Sequence, residues 1–314
     1  MKKKVIVFGG GTGLSTLLKG LKQFPIDITA VVSVSDDGRS TGKLRKEFDI
    51  PAVGDVRRVL LSLSETEPLF EKLWNYRFEE SSTLVGHTVG NLLLTAMIDI
   101  NGNMSSGMES LGKVLNLKGT VLPFTEDNVT LVAKMEDGTI IEGEEKITKY
   151  NGKISDISYK EILNVNPSVL EAVKEADLII LSMGSLYTSI LPNLIGDQIK
   201  EAISTSNAKI MYTCNMMTQP GETDKYTVGN HIKVLNKYLG KDVDVVLVNN
   251  GEINREIQEK YLTMEQKDPV KIDEEILNNL NVESIMSDYV KIEDGTLRHN
   301  VDKLALDIYT YLVR

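Results

Sequence analysis

Residues 5–13 constrain the fold more than any other part of this sequence. Four apolar residues, three of them β-branched, run directly into Gly9-Gly10-Gly11-Thr12-Gly13. Such a run is typical of a strand buried on both faces of a parallel sheet. Leucines at helical spacing follow, so a helix begins at the loop. We expect its first N–H groups to face an anion, most favourably a phosphate; the simpler interpretation is that the glycines serve packing alone.

The glycine spacing does not fit two common nucleotide-binding loops. In the dinucleotide fingerprint G-x-G-x-x-G, Leu14 or Thr16 would occupy the third glycine position, depending on the starting glycine. The sequence also lacks the P-loop pattern G-x-x-x-x-G-K-[ST]. The residues alone therefore indicate a phosphate-binding loop of no particular family.

Further apolar runs at 28–34, 176–181, 210–214 and 243–248 end in polar loops and alternate with helical patterns. This predicts an α/β fold, a Rossmann-like doubly wound, mostly parallel sheet. Ligands bind beyond the carboxyl ends of such strands. The candidate ligand-binding residues therefore come from these loops, from the start of one further helix and from one arginine near the end of the chain. They are Gly10, Gly11, Thr12, Gly13, Asp36, Asp37, Ser40, Thr41, Gly86, His87, Asn91, Gly184, Ser185, Tyr187, Thr188, Asn215, Thr218, Gln219 and Arg298.

Some of these candidates have two interpretations. Asp36 and Asp37 follow the second strand, where a ribose hydroxyl is usually bound, but they also fit a solvated turn. Asp55 either caps its own helix or faces the same cleft. His87 stands between two glycines at the expected start of a helix. It is either a ligand or acid–base group, or a structural residue. Arg298 is either a diphosphate ligand or an ordinary surface arginine.

The segment 119–165 has a different character from the rest of the chain. An Asp137-Gly138 turn between apolar runs predicts a β-hairpin, and residues 152–155 suggest a further strand. We therefore expect a single α/β domain over 1–314, with a body of 1–118 and 166–314 and a small antiparallel β-rich insertion at about 119–165. The charged run 142–145 is interpreted as a solvated face.

Composition excludes several functional classes. The net charge of −10 argues against nucleic-acid binding, and no apolar run reaches membrane-spanning length. The single cysteine, Cys214, fits a reducing compartment. The glycine-rich residues 9–13 interrupt any signal-peptide core, so a cytoplasmic location is expected. His231 and His299 have no ligand partners at metal-binding spacing, so no zinc site is expected.

Seven motifs together resemble those of the bacterial gluconeogenesis factors, over essentially the whole chain. This family is related to 2-phospho-L-lactate transferase, which acts in deazaflavin-coenzyme synthesis. The motifs are Gly9-Gly10-Gly11-Thr12-Gly13-Leu14-Ser15, Asp36-Asp37-Gly38-Arg39-Ser40-Thr41-Gly42, residues 51–57, Gly86-His87 with Gly90-Asn91-Leu92-Leu93, Gly184-Ser185-Leu186-Tyr187-Thr188-Ser189, Asn215 with Thr218-Gln219 and Gly221-Glu222-Thr223, and Leu297-Arg298-His299-Asn300.

The chain departs from the family pattern at three places. Arg39 stands where the family usually has glycine, Arg58 where it has asparagine, and Ser182-Met183 where it has Gly-Pro. These differences put cations and an altered loop near the expected ligand.

The resemblance implies a regulator that binds a nucleotide sugar such as UDP-N-acetylglucosamine and links gluconeogenic growth to cell-wall precursor synthesis and cell shape. Its expected partners are this ligand, a regulated enzyme of cell-wall precursor synthesis and a second copy of the chain, with no required cofactor. The alternative is a transferase in which Asp37 or Asp55 holds Mg²⁺ against a nucleoside-diphosphate-linked donor. A nicotinamide-dependent dehydrogenase is disfavoured by the missing third glycine.

Overall fold

A computed structural model describes residues 2–79, 82–150 and 152–314, with Arg39 described by its backbone alone. The strands of these residues are β1 (Lys4–Gly9), β2 (Asp27–Val32), β3 (Thr120–Pro123), β4 (Leu131–Met135), β5 (Ile140–Glu142), β6 (Ile154–Tyr159), β7 (Leu178–Leu181), β8 (Lys209–Thr213), β9 (Val245–Asn249), β10 (Glu283–Ser287), β11 (Val290–Glu293) and β12 (Thr296–His299).

The α-helices of the described chain surround these strands. They are α1 (Gly11–Leu21), α2 (Arg39–Phe48), α3 (Gly54–Leu63), α4 (Pro68–Asn75), α5 (Val89–Asn101), α6 (Met104–Val114), α7 (Glu144–Lys149), α8 (Pro167–Glu175), α9 (Asp197–Thr205), α10 (Val228–Leu239), α11 (Arg255–Glu265), α12 (Glu274–Asn279) and α13 (Val301–Leu312). A π-helical turn (Leu186–Ile190) and a 3₁₀ turn (Leu191–Leu194) follow β7. None of the described helices is long and apolar enough to span a membrane.

The main sheet, as far as the chain is described, has seven strands in the order β10-β9-β8-β7-β1-β2-β3, and every pairing in it is parallel. This is the doubly wound order of Rossmann-like folds, extended by one strand. Residues of β1 alternate between two cores: Val5 and Val7 lie in one, and Ile6 and Phe8 lie in the other. The predicted fold class and the first strand buried on both faces are therefore confirmed.

The direction of winding reverses between β1 and β7. Strand β1 pairs with β2 on one side and with β7 on the other. Connections that leave in opposite directions open a crevice beyond the carboxyl ends of these two strands. The loops that follow β1, β2 and β7 therefore meet at this edge of the sheet.

Strands β4, β5 and β6 form a separate antiparallel sheet. Gly138 has a positive φ of 87° in the predicted hairpin turn. The segment of about 119–165 also contains β3, which pairs with β2 in the main sheet. Strand β3 is an edge strand with alternating burial, so its sequence resembles that of an antiparallel strand.

Candidate functional site

The glycine loop is one residue long, because β1 ends at Gly9 and α1 begins at Gly11. A Cβ on Gly9 would lie 2.2 Å from Ser182 Oγ, and one on Gly13 would lie 1.8 Å from the carbonyl oxygen of Met183. These two glycines thus let α1 pack directly on the loop after β7. The packing and ligand interpretations of the loop are compatible, because the same contacts aim the start of α1 into the crevice.

A cleft of about 500 Å³ opens at this point. Its walls come from the loops after β1, β2 and β7, from the first turns of α2 and α3, and from α7. The lining residues are Gly10, Gly11, Thr12, Gly13, Ser33, Asp36, Gly38, Ser40, Thr41, Gly54, Asp55, Arg57, Arg58, Arg77, Asn91, Glu144, Glu145, Lys149, Gly184, Ser185, Thr188 and Ser189.

A second compartment of about 480 Å³ adjoins the cleft. The two share Thr12, Gly13, Gly184 and Ser185, which we call the ridge. Apolar and uncharged groups are more frequent in the second compartment, whose other lining residues are Met183, Asn215, Met216, Met217, Thr218, Gln219, Tyr261, Glu265, Lys267, Thr296, Leu297, Arg298 and His299. The site therefore consists of two compartments that share the ridge, a charged half and a less charged half.

Asn215 holds the peptide of Gly184 on the ridge. Its Oδ1 accepts from the Gly184 N–H at 2.9 Å, and its Nδ2 donates to the Gly184 carbonyl at 2.6 Å. Gly184 has a φ of +152°, a conformation that side chains rarely adopt. Asn215 thus positions the ridge.

Glu222 fixes the turn that follows the ridge. Its carboxylate accepts hydrogen bonds from Ser185 Oγ, from the Tyr187 N–H at 3.2 Å and from Gln219 Nε2 at 2.8 Å. Burial raises the pKa of Glu222, while the bonds from Ser185 and Tyr187 oppose that rise. This carboxylate holds the π-helical turn against the second compartment.

Carboxylates concentrate on the wall between α2, α3 and α7. Burial, and then the nearby charge of Asp55, raises the pKa of Asp36. Burial, followed by the charge of Asp36, raises the pKa of Glu144 to about 7. The interpretation of 142–145 as a solvated face is therefore wrong for Glu144, which burial desolvates in the cleft lining. Glu145 also lines the cleft, because α7 folds back over it, but its side chain is 41% exposed.

Asp37 anchors α7 in this place. Its Oδ1 accepts from the Glu145 N–H at 2.9 Å, and a Cβ on Gly143 would lie 2.4 Å from its Oδ2. Asp37 therefore connects the second strand end to the antiparallel sheet and is not among the residues that line the cleft.

Among the described residues, the cations that line the cleft with these carboxylates are Arg57, Arg58, Arg77 and Lys149. Arg57 is 6% exposed and donates to Asn75 Oδ1 at 2.6 Å. Burial, and next the charges of Arg58 and Arg77, lowers the pKa of Arg57 to about 10. Arg77 and Lys149 are distant in sequence from the glycine loop, and only the fold brings them to it.

His87 lies behind the cleft wall. Its Nδ1 is 2.9 Å from Ser40 Oγ, which also accepts from Asn91 Nδ2 at 3.2 Å. Desolvation lowers the pKa of His87. Ser40 and Asn91 line the cleft, whereas Gly86 and His87 support it.

The other residues predicted to bind the ligand either line the second compartment or form hydrogen bonds with other residues of the protein. Tyr187 Oη lies 3.0 Å from Tyr226 Oη. Thr218 Oγ1 accepts from the Asp268 N–H at 2.9 Å. Arg298 lines the second compartment, away from the carboxylates. The side chain of Arg39 lies outside the described part of the structure.

No three His, Cys, Asp or Glu side chains among the described residues are placed to hold one metal ion. Mg²⁺ usually binds through one or two carboxylates together with substrate phosphates and water. Of the two carboxylates expected to hold it, Asp55 lines the cleft and Asp37 does not. His231 is buried against Tyr226, and desolvation lowers the pKa of His299 to about 4.

Comparison with known proteins identifies relatives over nearly the whole length of the chain. The family model of 2-phospho-L-lactate transferase CofD matches residues 5–290. The gluconeogenesis factor of Halalkalibacterium halodurans is 48% identical, with 97% of this chain and 95% of the relative covered. That of Bacillus subtilis is 46% identical, with 97% and 96% covered.

Two crystal structures of a protein from Bacillus halodurans have the same fold. They superpose with TM-scores of 0.95 and 0.94 at 47% and 48% identity, and each covers 98% of this chain. The first is covered over 100% of its length, and the second, covered over 99%, is described as a member of the UPF0052 family. The chain therefore belongs to the family of 2-phospho-L-lactate transferase CofD and the gluconeogenesis factors.

Proposed function

We propose that this chain binds a nucleoside diphosphate sugar, of the UDP-N-acetylglucosamine type, and acts as a regulator rather than through turnover. The observation that carries this proposal is the pair of adjacent compartments that share an amide- and hydroxyl-rich ridge. A ligand of this class has three parts of matching chemistry: a sugar rich in hydroxyls, a diphosphate and a nucleobase.

The ridge suits the diphosphate. The N–H groups of Thr12 and Gly13 lie in the first turn of α1, where the helix dipole favours negative charge. Arg58 adds a cation to the same cleft. Backbone N–H groups and arginine are the usual donors to phosphate oxygens. The Ser185 and Thr188 hydroxyls bond to each other and to Glu222, and they shape the other side of the cleft.

The two compartments suit the remaining parts of the ligand. Asp36 and Glu144 offer acceptors for sugar hydroxyls in the charged half. Met216, Met217 and Tyr261 offer apolar contacts for a base in the other half, where Arg298 is also available. The names of the relatives support a role in gluconeogenic growth, and the regulated enzyme belongs, in this proposal, to cell-wall precursor synthesis.

Isothermal titration calorimetry tests the proposal with UDP-N-acetylglucosamine, UDP-glucose, GDP and NAD, each with and without Mg²⁺. We expect selective binding of a UDP-sugar that is recovered intact afterwards. Preference for GDP that depends on Mg²⁺, or cleavage of the ligand, would support the transferase reaction of the family and contradict the regulator.

A further inference from the structure

The anion position at the start of α1 is occupied by a side chain of the protein itself. Asp55 Oδ2 accepts a hydrogen bond from the Gly11 N–H at 2.7 Å. A Cβ on Gly11 would lie 2.1 Å from Asp55 Oδ1, so the carboxylate packs directly against the helix start. Asp55 thus caps α1, although it belongs to the first turn of α3.

This arrangement matters for a phosphate because the same helix end would have to accommodate two negative groups. The N–H groups of Thr12 and Gly13 are adjacent to that of Gly11, and all three residues line the cleft. Two unit charges a few ångström apart at a half-buried site repel each other strongly. A phosphate at the ridge and the Asp55 carboxylate therefore compete.

Arg58 is placed to pair either with the Asp55 carboxylate or with a bound phosphate. Its Nη1 donates to Asp55 Oδ1 at 3.2 Å, and its side chain is 47% exposed. An exposed pair of this kind is weak, so Arg58 can change partner at little cost.

Two buried polar groups in the lining of the same cleft give an independent indication that it binds a ligand. Asn91 Oδ1 and Arg57 Nε are buried and have no hydrogen-bond partner among the described residues. These residues are 4% and 6% exposed, and both line the cleft. Unpaired groups of this kind are costly unless a ligand or water completes them.

We infer that Asp55 is an internal competitor for the phosphate site: its carboxylate leaves the Gly11 N–H when a ligand phosphate binds, and Arg58 moves from Asp55 to that phosphate. This inference rests on the proposed function, because it assumes a ligand that carries phosphate. It makes Asp55 a residue that sets the affinity of the site by opposing the ligand.

The test compares the wild type with Asp55→Asn, because the amide keeps an acceptor for the Gly11 N–H but removes the charge. Dissociation constants are measured by calorimetry without Mg²⁺ for inorganic pyrophosphate and for UDP-N-acetylglucosamine. We expect Asp55→Asn to bind pyrophosphate about tenfold more tightly, since one repulsive charge is gone. The matched control is Asp302→Asn, also the second residue of its helix but not part of the cleft, and it should bind as the wild type does.

Arg58→Gln provides a second test that does not depend on the folding of Asp55→Asn. If Arg58 moves to the phosphate, this variant binds pyrophosphate several-fold more weakly. Unchanged or tighter binding would mean that Arg58 serves Asp55 alone and would overturn the inference.

The results separate the inference from the proposed function. Tighter pyrophosphate binding by Asp55→Asn without any UDP-sugar binding would support the inference and reject the proposed ligand. UDP-sugar binding by the wild type that Asp55→Asn leaves unchanged or weakens would keep the function and overturn the inference. Absence of all binding in both proteins would overturn both.

Discussion

Glu144 shows how a single side chain connects the cleft to the stability of the protein. Its carboxyl is half-buried beside Asp36, and its pKa is raised to about 7. The folded state therefore holds this proton more tightly than the unfolded state does. Between the ordinary pKa of 4.5 and about 7, stability decreases as pH rises, because the folded chain binds more protons in this range.

We expect Glu144→Gln to increase the free energy of unfolding at pH 8 by about 1 to 3 kcal/mol, because the amide avoids the cost of a buried charge. Between pH 5 and 8, its plot of unfolding free energy against pH should be flatter than that of the wild type. Urea unfolding at a series of pH values measures this. Glu136→Gln, at an exposed position of the same antiparallel unit, should keep the wild-type profile; an equally steep profile in Glu144→Gln would contradict the assignment.

At the scale of elements, the close packing of α1 against the loop after β7 depends on Gly13. We expect Gly13→Ala to destabilise the protein by roughly 2 kcal/mol or more, because the added Cβ would collide with the Met183 backbone. The matched control is Gly112→Ala in α6, where the new Cβ would meet a leucine side chain at 3.0 Å that can shift. There the better helix propensity of alanine should offset the contact. Equal unfolding midpoints for the two variants would refute the close packing of α1.

Helix α7 has two lysines, of which one lines the cleft and the other does not. Lys149 lines the cleft and pairs with Glu145 at 2.6 Å, whereas Lys146 is exposed and lies outside the cleft lining. We expect Lys149→Ala to weaken binding of the UDP-sugar roughly two- to fivefold, as suits one solvent-exposed charge contact. Lys146→Ala should leave the dissociation constant unchanged in the same calorimetric titration. Identical constants for both variants would show that Lys149 does not contact the ligand.

At the scale of the whole molecule, the sequence predicts the sheet and the strand-end loops because both depend on local patterns. The run before Gly9 and the polar residues after each strand are visible without knowledge of the fold. The sequence does not predict in this way that the cleft also contains Arg77, Glu144 and Lys149. These residues are distant in sequence from the strand-end loops, and only tertiary packing brings them to the cleft. The role of Asp55 also needed tertiary geometry: its position fits a cap for its own helix, yet it caps another.

The pairing of β1 with β7 also has a consequence for folding during synthesis of the chain. Lys4 and Asp177, which meet beside these strands, are 173 positions apart. Contacts this distant in sequence require closure of a long loop and slow the folding of a chain. During synthesis, the glycine loop emerges long before the ridge residues at 184 and 185. We therefore expect a nascent chain to acquire its ligand only late, so that ligand binding distinguishes completed molecules from partial ones.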